Sequence, residues 1–323
     1  MTNDCFSKYD LEAAKILDSF LPHRIFDAHM HISHTTVFRW NEITLDSYYR
    51  DMNTYLGNRQ LSCNAIIFPI KPLADKEQLK LSDKFLIGEL DAYKQNVGEI
   101  IVLPTDTVED IEKRLTHPGI RGLKCYHIYS GRDVTFNSYI EEYLPESAWE
   151  VANKHKLFIT LHMVRNLALA DEGNLKYIKE MAKRYPDATL ILAHAARAFA
   201  CWTAFDTVDE LVGYDNIWYD FSGVGESPAM QYIIKKVGIK RCMWGSDYPV
   251  SMNAGKPISI ADTFYWISEA DLRQFVSATE FHSWLVGTEN LMATRQACIL
   301  ADLNDDAIED LFYNNAAALM GRE

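Results

Sequence analysis

The residues richest in chemical potential are histidines set beside short apolar runs. The run 24–31 (RIFDAHMH) closes with Asp27-Ala28-His29-Met30-His31, and the two-residue period of a β-strand puts His29 and His31 on one face. Two imidazoles offered by one strand suit a metal ion. Neutral imidazole nitrogens bind zinc at about 2.0–2.1 Å, and iron, nickel or manganese with less selectivity. The pair alone equally fits two satisfied core histidines. Three further runs end in groups of the same kind: 157–163 (LFITLHM) brings His162, 189–195 (TLILAHA) brings His194 and 242–249 (CMWGSDYP) brings Asp247. Four of the ten histidines thus fall at the ends of three runs. A carboxylate after an apolar run costs free energy unless it is paired or binds an ion. Together the five groups point to a metal site.

The elements that must position them are eight apolar runs: 24–31, 63–70, 99–105, 119–126, 157–163, 189–195, 216–222 and 242–249. Runs of four to eight apolar residues are the signature of parallel strands buried on both faces. Segments 72–96, 145–155, 173–185 and 304–320 between and after them have helical spacing, caps or proline boundaries. Eight such units predict an α/β (β/α)8 TIM-like barrel over 1–323 as one domain. Segments 32–62 and 251–302 exceed the minimal barrel. Both leave C-terminal strand ends, where barrels carry active-site loops, so they are expected to form rim or lid segments. Their aromatics (Trp40, Tyr48, Tyr49, Tyr265, Trp266, Trp284) either line a pocket or pack the lid.

The formal charge of −13 argues against nucleic acid and anionic membranes as partners, and leaves a small molecule as the expected one. An anionic substrate would need local cations. Arg165 and Arg197, each three residues beyond a strand-end histidine, offer guanidinium forks that match a carboxylate, with a surface ion pair as the alternative for each. Asp220, inside the seventh run, orients a ligand or is structural. The six cysteines are scattered singly, and neither a basic-then-apolar start nor a run of about 20 apolar residues is present; a reducing cytoplasm is the expected location. A helix-borne zinc protease motif, a Gly-rich phosphate loop and a serine nucleophile elbow are absent. Exposed tracts in 251–290 leave a homo-oligomer open.

The ordered set Phe-Asp-Ala-His-Met-His, Gly-Ile-Arg-Gly-Leu-Lys, Ile-Thr-Leu-His, Leu-Ile-Leu-Ala-His-Ala, Asn-Ile-Trp-Tyr-Asp-Phe-Ser and Met-Trp-Gly-Ser-Asp-Tyr-Pro resembles the amidohydrolase superfamily. Its amidohydrolase-related branch, which includes aminocarboxymuconate semialdehyde decarboxylase and sugar-acid and pyrone lactonases, is the most similar part. The resemblance implies that His29, His31, His162 and Asp247 hold one divalent ion, zinc before manganese or iron. The ion would lower the pKa of a bound water toward ~7, with Asp247 as proton shuttle and His194 stabilising charge on the attacked oxygen. Lys124 keeps three roles: a carboxylated bridge to a second metal, a substrate-carboxylate contact, or a structural ion pair. The implied activity is metal-dependent hydrolysis of a small carboxylate-bearing lactone or amide. The alternatives are non-oxidative decarboxylation of an aromatic or muconate-like acid, and a catalytically inactive metal-binding scaffold.

Overall fold

The computed structural model describes residues 6–37, 39–69, 76–275 and 283–321. Cys5 and the parts of the expected elements at 70–75 and 276–282 lie outside them. Eight parallel strands pair in chain order: β1 (Arg24–Ile32), β2 (Gln60–Ile67), β3 (Val97–Ile101), β4 (Ile120–Cys125), β5 (Phe158–Leu161), β6 (Thr189–Leu192), β7 (Ile217–Asp220) and β8 (Cys242–Met243). Each falls on one of the apolar runs, because strands covered on both faces need continuous apolar sequence. The ring closes where Ala28 N–H donates to the Trp244 carbonyl at 3.0 Å, Asp247 N–H to His29 at 2.8 Å and His31 N–H to Tyr248 at 2.7 Å.

Helix α1 (Lys8–Asp18) precedes the barrel, and α2 (Leu45–Leu56), α3 (Lys76–Ala92), α4 (Val108–Glu112), α5 (Glu146–His155) and α6 (Glu172–Arg184) follow the first five strands. A short left-handed turn at Ala193–Arg197 and 3-10 turns link β6 to β7; α7 (Ser227–Val237) links β7 to β8. Segment 32–62 therefore contains an ordinary barrel helix. In α2, Leu45, Tyr48, Met52, Tyr55 and Leu56 are buried at helical spacing, the stripe that seats a helix on a core. After β8 comes a hairpin of β9 (Gly255–Ile260) and β10 (Thr263–Ser268), then α8 (Glu269–Phe275) and α9 (Val286–Leu300). The last of these packs on α1 and α7 and supplies the outer helix that follows β8. The closing helix is α10 (Asp305–Glu309), a π turn at Asp310–Asn314, and α11 (Asn315–Met320). Among the described residues no helix is long and apolar enough to cross a membrane, and the cysteines are unpaired.

The barrel interior is layered. At the N-terminal end, Phe26, Ala28, Val97, Phe158, Ile191 and Met243 pack together with Ala316 and Met320 of α11. Above them lie the buried polar groups Asn64, Glu99, Lys124, Thr160 and Asp220, where barrels of this kind ordinarily carry branched apolar side chains. Above those stand the histidines. The β1–β2 register slips by one residue between Asp27 and Met30, and such a bulge reverses the in–out alternation. Ala28 therefore belongs to the apolar floor while His29 and His31 face the polar interior.

Gly122 of β4 passes directly over the Phe158 ring, where an added Cβ would lie 2.2 Å from a ring carbon. Gly122→Ala is expected to cost ~1–3 kcal/mol through overpacking, and to lower the midpoint of a cooperative thermal melt by several degrees; an unchanged midpoint would contradict this packing.

Candidate metal centre and substrate pocket

Closure of β8 onto β1 brings Asp247 against the strand-one histidines. His29 Nε2 and His31 Nε2 are 3.3 Å apart, His31 Nε2 lies 3.3 Å from Asp247 Oδ1, and His29 Nε2 lies 3.9 Å from it. Gly245 permits this approach: a Cβ there would come within 2.7 Å of the His29 Cβ.

The far side of each ring is committed. His29 Nδ1 donates to Asp220 Oδ2 at 2.9 Å, which leaves the Nε2 lone pair pointing at the cluster. His31 Nδ1 is 3.4 Å from the Tyr126 hydroxyl, which itself donates to the Ile67 carbonyl at 2.8 Å. Burial pulls both imidazoles below their ordinary pKa, His31 strongly, and burial pushes the Asp247 carboxyl up. Two neutral imidazoles aiming lone pairs at one point, with a carboxylate beside them, fit a cation. Ligands at about 2.0–2.1 Å around a tetrahedral ion stand roughly 3.3–3.4 Å apart, close to two of the three separations here. These three side chains are the compact donor set among the described residues.

His162, expected as the fourth ligand, stands outside that set. Its Nδ1 lies 3.1 Å from His194 Nε2. His194 in turn gives its Nδ1 proton to the Ser222 carbonyl at 2.9 Å. Its backbone begins a left-handed turn: His194, Ala195, Ala196 and Arg197 all have φ between 53° and 59°. That conformation costs roughly 1–2 kcal/mol per non-glycine residue when repeated. It is held by His194 N–H to Asp220 Oδ1 at 3.3 Å and Ala198 N–H to the His194 carbonyl at 3.1 Å. The turn brings His194 and Arg197 into the lining of one cavity.

That cavity, of about 480 Å³, lies above the cluster and is walled by Phe68, Phe136, Phe199, Phe264 and Trp266, with His31, Lys124, His162, His194, Arg197 and Asp247 among its polar groups. Phe264 and Trp266 come from the β9–β10 hairpin, and Phe199 and Phe264 stack with centroids 4.1 Å apart. Of the other rim aromatics, Trp40 and Tyr48 are buried in the core while Tyr265 faces solvent. Arg197 is 7% exposed. One of its terminal nitrogens donates to the Arg165 carbonyl at 3.0 Å, its Nε has no partner, and burial pulls its pKa down to about 10. Arg165 is instead paired with Asp171 at 2.7 Å beneath the Tyr139 ring, and does not belong to the lining. Lys124 is fully buried with no hydrogen-bond partner on Nζ.

One contributor, His127, escaped the sequence reading. His127 lines the cavity, with Nδ1 2.9 Å from the Thr135 hydroxyl and its ring stacked on His162 at 5.8 Å. It follows the end of β4, so the rule that singled out the other strand-end histidines applied to it too. Asp220 emerges as an organiser. It accepts from His29, from the Ser222 N–H at 3.0 Å and from the Ser222 hydroxyl. Burial alone would raise its carboxyl, but His29, His194 and Ser222 hold it well below the usual range. A carboxylate behind a metal-binding imidazole typically contributes 10–100-fold in metal affinity. Asp220→Asn should therefore weaken zinc binding by about that factor, read by chelator competition, while the far-UV spectrum stays native; unchanged affinity would remove Asp220 from this role.

Comparison with known proteins agrees with this architecture. An amidohydrolase family match spans residues 75–322. L-fucono-1,5-lactonase of Burkholderia ambifaria is 23% identical over 236 residues, 67% of this chain and 76% of that protein. A 2,6-dihydroxybenzoate decarboxylase solved with 2,6-dihydroxybenzoate superposes with TM-score 0.60 at 13% identity, over 93% of this chain and 99% of that one. An amidohydrolase from Burkholderia multivorans with bound zinc gives 0.58 at 12%, over 92% and 99%. The manganese complex of 5-carboxyvanillate decarboxylase from Novosphingobium aromaticivorans gives 0.56 at 12%, over 92% and 96%. With the family match covering most of its length, the chain belongs to the amidohydrolase family, whose enzymes include metal-dependent hydrolases and decarboxylases.

Proposed function

We propose that the chain hydrolyses a small, flat, carboxylate-bearing lactone or amide, using one divalent ion held by His29, His31 and Asp247, with His162 as the fourth ligand. Zinc is the first choice and manganese or iron the alternatives, since imidazole and carboxylate accept all three. The observation that carries the reading is Asp247, a buried carboxylate that touches the ligand cluster and lines the cavity at once. When bound, the ion supplies Lewis acidity and an activated water.

The chain's own groups do the rest. Asp247 takes the proton of the attacking water and returns it to the leaving group. His194, with its Nδ1 proton committed to Ser222, turns its Nε2 toward His162 Nδ1 at the cavity wall. In its neutral form it orients a donor, and only as an imidazolium does it stabilise an oxyanion. Arg197, with a free Nε–H in an apolar wall, receives the substrate carboxylate. The five aromatic walls favour a flat unsaturated ring over a polyhydroxylated one.

The same walls support a second reading, decarboxylation. A carboxylate pressed against them is destabilised relative to neutral carbon dioxide, and Asp247 then protonates the carbon. Lactone opening measured against carbon dioxide release from hydroxybenzoate-like and muconate-like acids separates the two. In either case zinc-replete Asp247→Asn is expected to lose at least about 100-fold in kcat; full turnover would overturn the assignment. Arg197→Met is expected to raise KM by about 10–100-fold with a smaller change in kcat, the effect of losing one charge-assisted hydrogen bond.

A further inference from the structure

The polar layer below the ligands contains a feature that the reaction above does not use. Glu99 of β3 is fully buried. Its Oε1 accepts from the Asn64 amide at 2.6 Å and from the Thr160 hydroxyl at 2.7 Å, so strands β2 and β5 clamp it. Its Oε2 has no hydrogen-bond partner, and neither has Lys124 Nζ or Asn64 Oδ1. Asn64 has given its amide protons to the Ala28 carbonyl and to Glu99. Three orphaned polar atoms, one donor group and two acceptors, thus sit on the neighbouring strands β2, β3 and β4.

A buried ammonium and a buried carboxylate oxygen are costly unless solvated or paired. Two unpaired acceptors and a three-proton donor on adjacent strands meet the requirement of an internal water, which needs two to four polar partners and bridges groups too far apart for direct contact. A bridging metal at this place would instead require Lys124 to become an anionic carbamate under the electrostatic influence of the Glu99, Asp220 and Asp247 carboxylates. Burial draws Lys124 downward, while Glu99, Cys125, Asp220 and Asp247 draw it back toward the charged form. Glu99 is pushed up to about 7 by burial, with Lys124 the strongest influence opposing that rise.

We propose that Glu99, clamped by Asn64 and Thr160 and linked through an internal water, is a positioning residue that holds Lys124 as a fixed ammonium on the cavity floor, where it contacts the carboxylate of the ligand. The inference rests on the reading of the cavity as a carboxylate site, and it assigns Lys124 to anion binding rather than to a second metal.

Benzoate, a flat monocarboxylate, serves as the probe, titrated calorimetrically into zinc-loaded protein. Lys124→Met is expected to weaken benzoate about tenfold or more, and Glu99→Gln to weaken it comparably. The double variant should be no weaker than the worse single one, since the two side chains act as one unit. Glu99→Asp should recover part of the loss, and Thr160→Val, which removes one clamp while keeping the volume, should shift affinity in the same direction by less. Thr160→Val and Lys124→Met keep the test decisive if Glu99→Gln does not fold. Unchanged affinity in Glu99→Gln or Lys124→Met, additive losses in the double variant, or no benzoate binding to the wild type at millimolar concentration would each overturn the proposal. So would a carbamate resonance in wild-type protein equilibrated with 13C-bicarbonate and holding two zinc ions per chain. Zinc content is measured in parallel: its absence from the wild type counts against the metal centre, whereas zinc-replete protein without coupling counts against Glu99 alone.

Discussion

His29 is held from both sides by buried carboxylates, and the geometry of the centre depends on that grip. On one side Asp27 Oδ1 accepts the His29 N–H at 3.1 Å and the Ser246 N–H at 2.8 Å, stitching the first strand to the turn that carries Asp247. On the other side Asp220 fixes the imidazole itself. Tyr48 of α2 donates to the second Asp27 oxygen at 3.0 Å, so an outer helix also reaches this junction. Carboxylates with these partners tolerate burial because every lone pair that matters faces a donor. Their combined effect is to define which nitrogen of His29 stays free, and hence where a cation can sit.

Most of the frame was legible in the sequence, for a physical reason. Parallel strands covered on both faces must be continuously apolar, so the eight runs stood out, and a strand's period put His29 and His31 together without any tertiary knowledge. Asp247 was legible as a carboxylate that an apolar neighbourhood does not tolerate alone. The helix α2 was not recognised inside 32–62, because an aromatic such as Tyr48 reads as well as a pocket wall as it does as part of a buried helical stripe. The placement of Arg165 was also beyond reach: a guanidinium three residues past a strand end points wherever its nearest carboxylate lies, and Asp171 is only six residues on.

The left-handed turn at His194–Arg197 was wholly hidden. Its sequence, His-Ala-Ala-Arg, contains no glycine or asparagine to announce it, and alanine ordinarily favours the right-handed helix. Conformations of this kind persist only where the surroundings over-determine them. Here Asp220, Ser222 and the Arg165 carbonyl do so, and the strain is set against two side chains delivered to one cavity from a four-residue segment. The polar layer of Asn64, Glu99 and Lys124 was hidden differently: each residue is one of few polar ones in its apolar run, and only the β2–β3–β4 register makes them neighbours.

The charge distribution then acquires a logic that net charge alone conceals. A surface carrying −13 overall repels an anion at a distance, but exposed charges are screened beyond a Debye length of about 8 Å at physiological salt. Inside the cavity the balance is reversed, with Lys124 and Arg197 opposite aromatic walls and Asp247 assigned to the ion. Lys256, which also lines the cavity, is already paired with Glu289 at 3.0 Å. On the proposed reading, selectivity for a carboxylate would arise after entry, from Lys124 and Arg197 in a medium of low dielectric, where an unpaired charge gains most from a counter-ion. An uncharged ring of the same shape would leave both cations unsatisfied, and that unsatisfied pair, more than any steric feature of the hairpin, is what would exclude it.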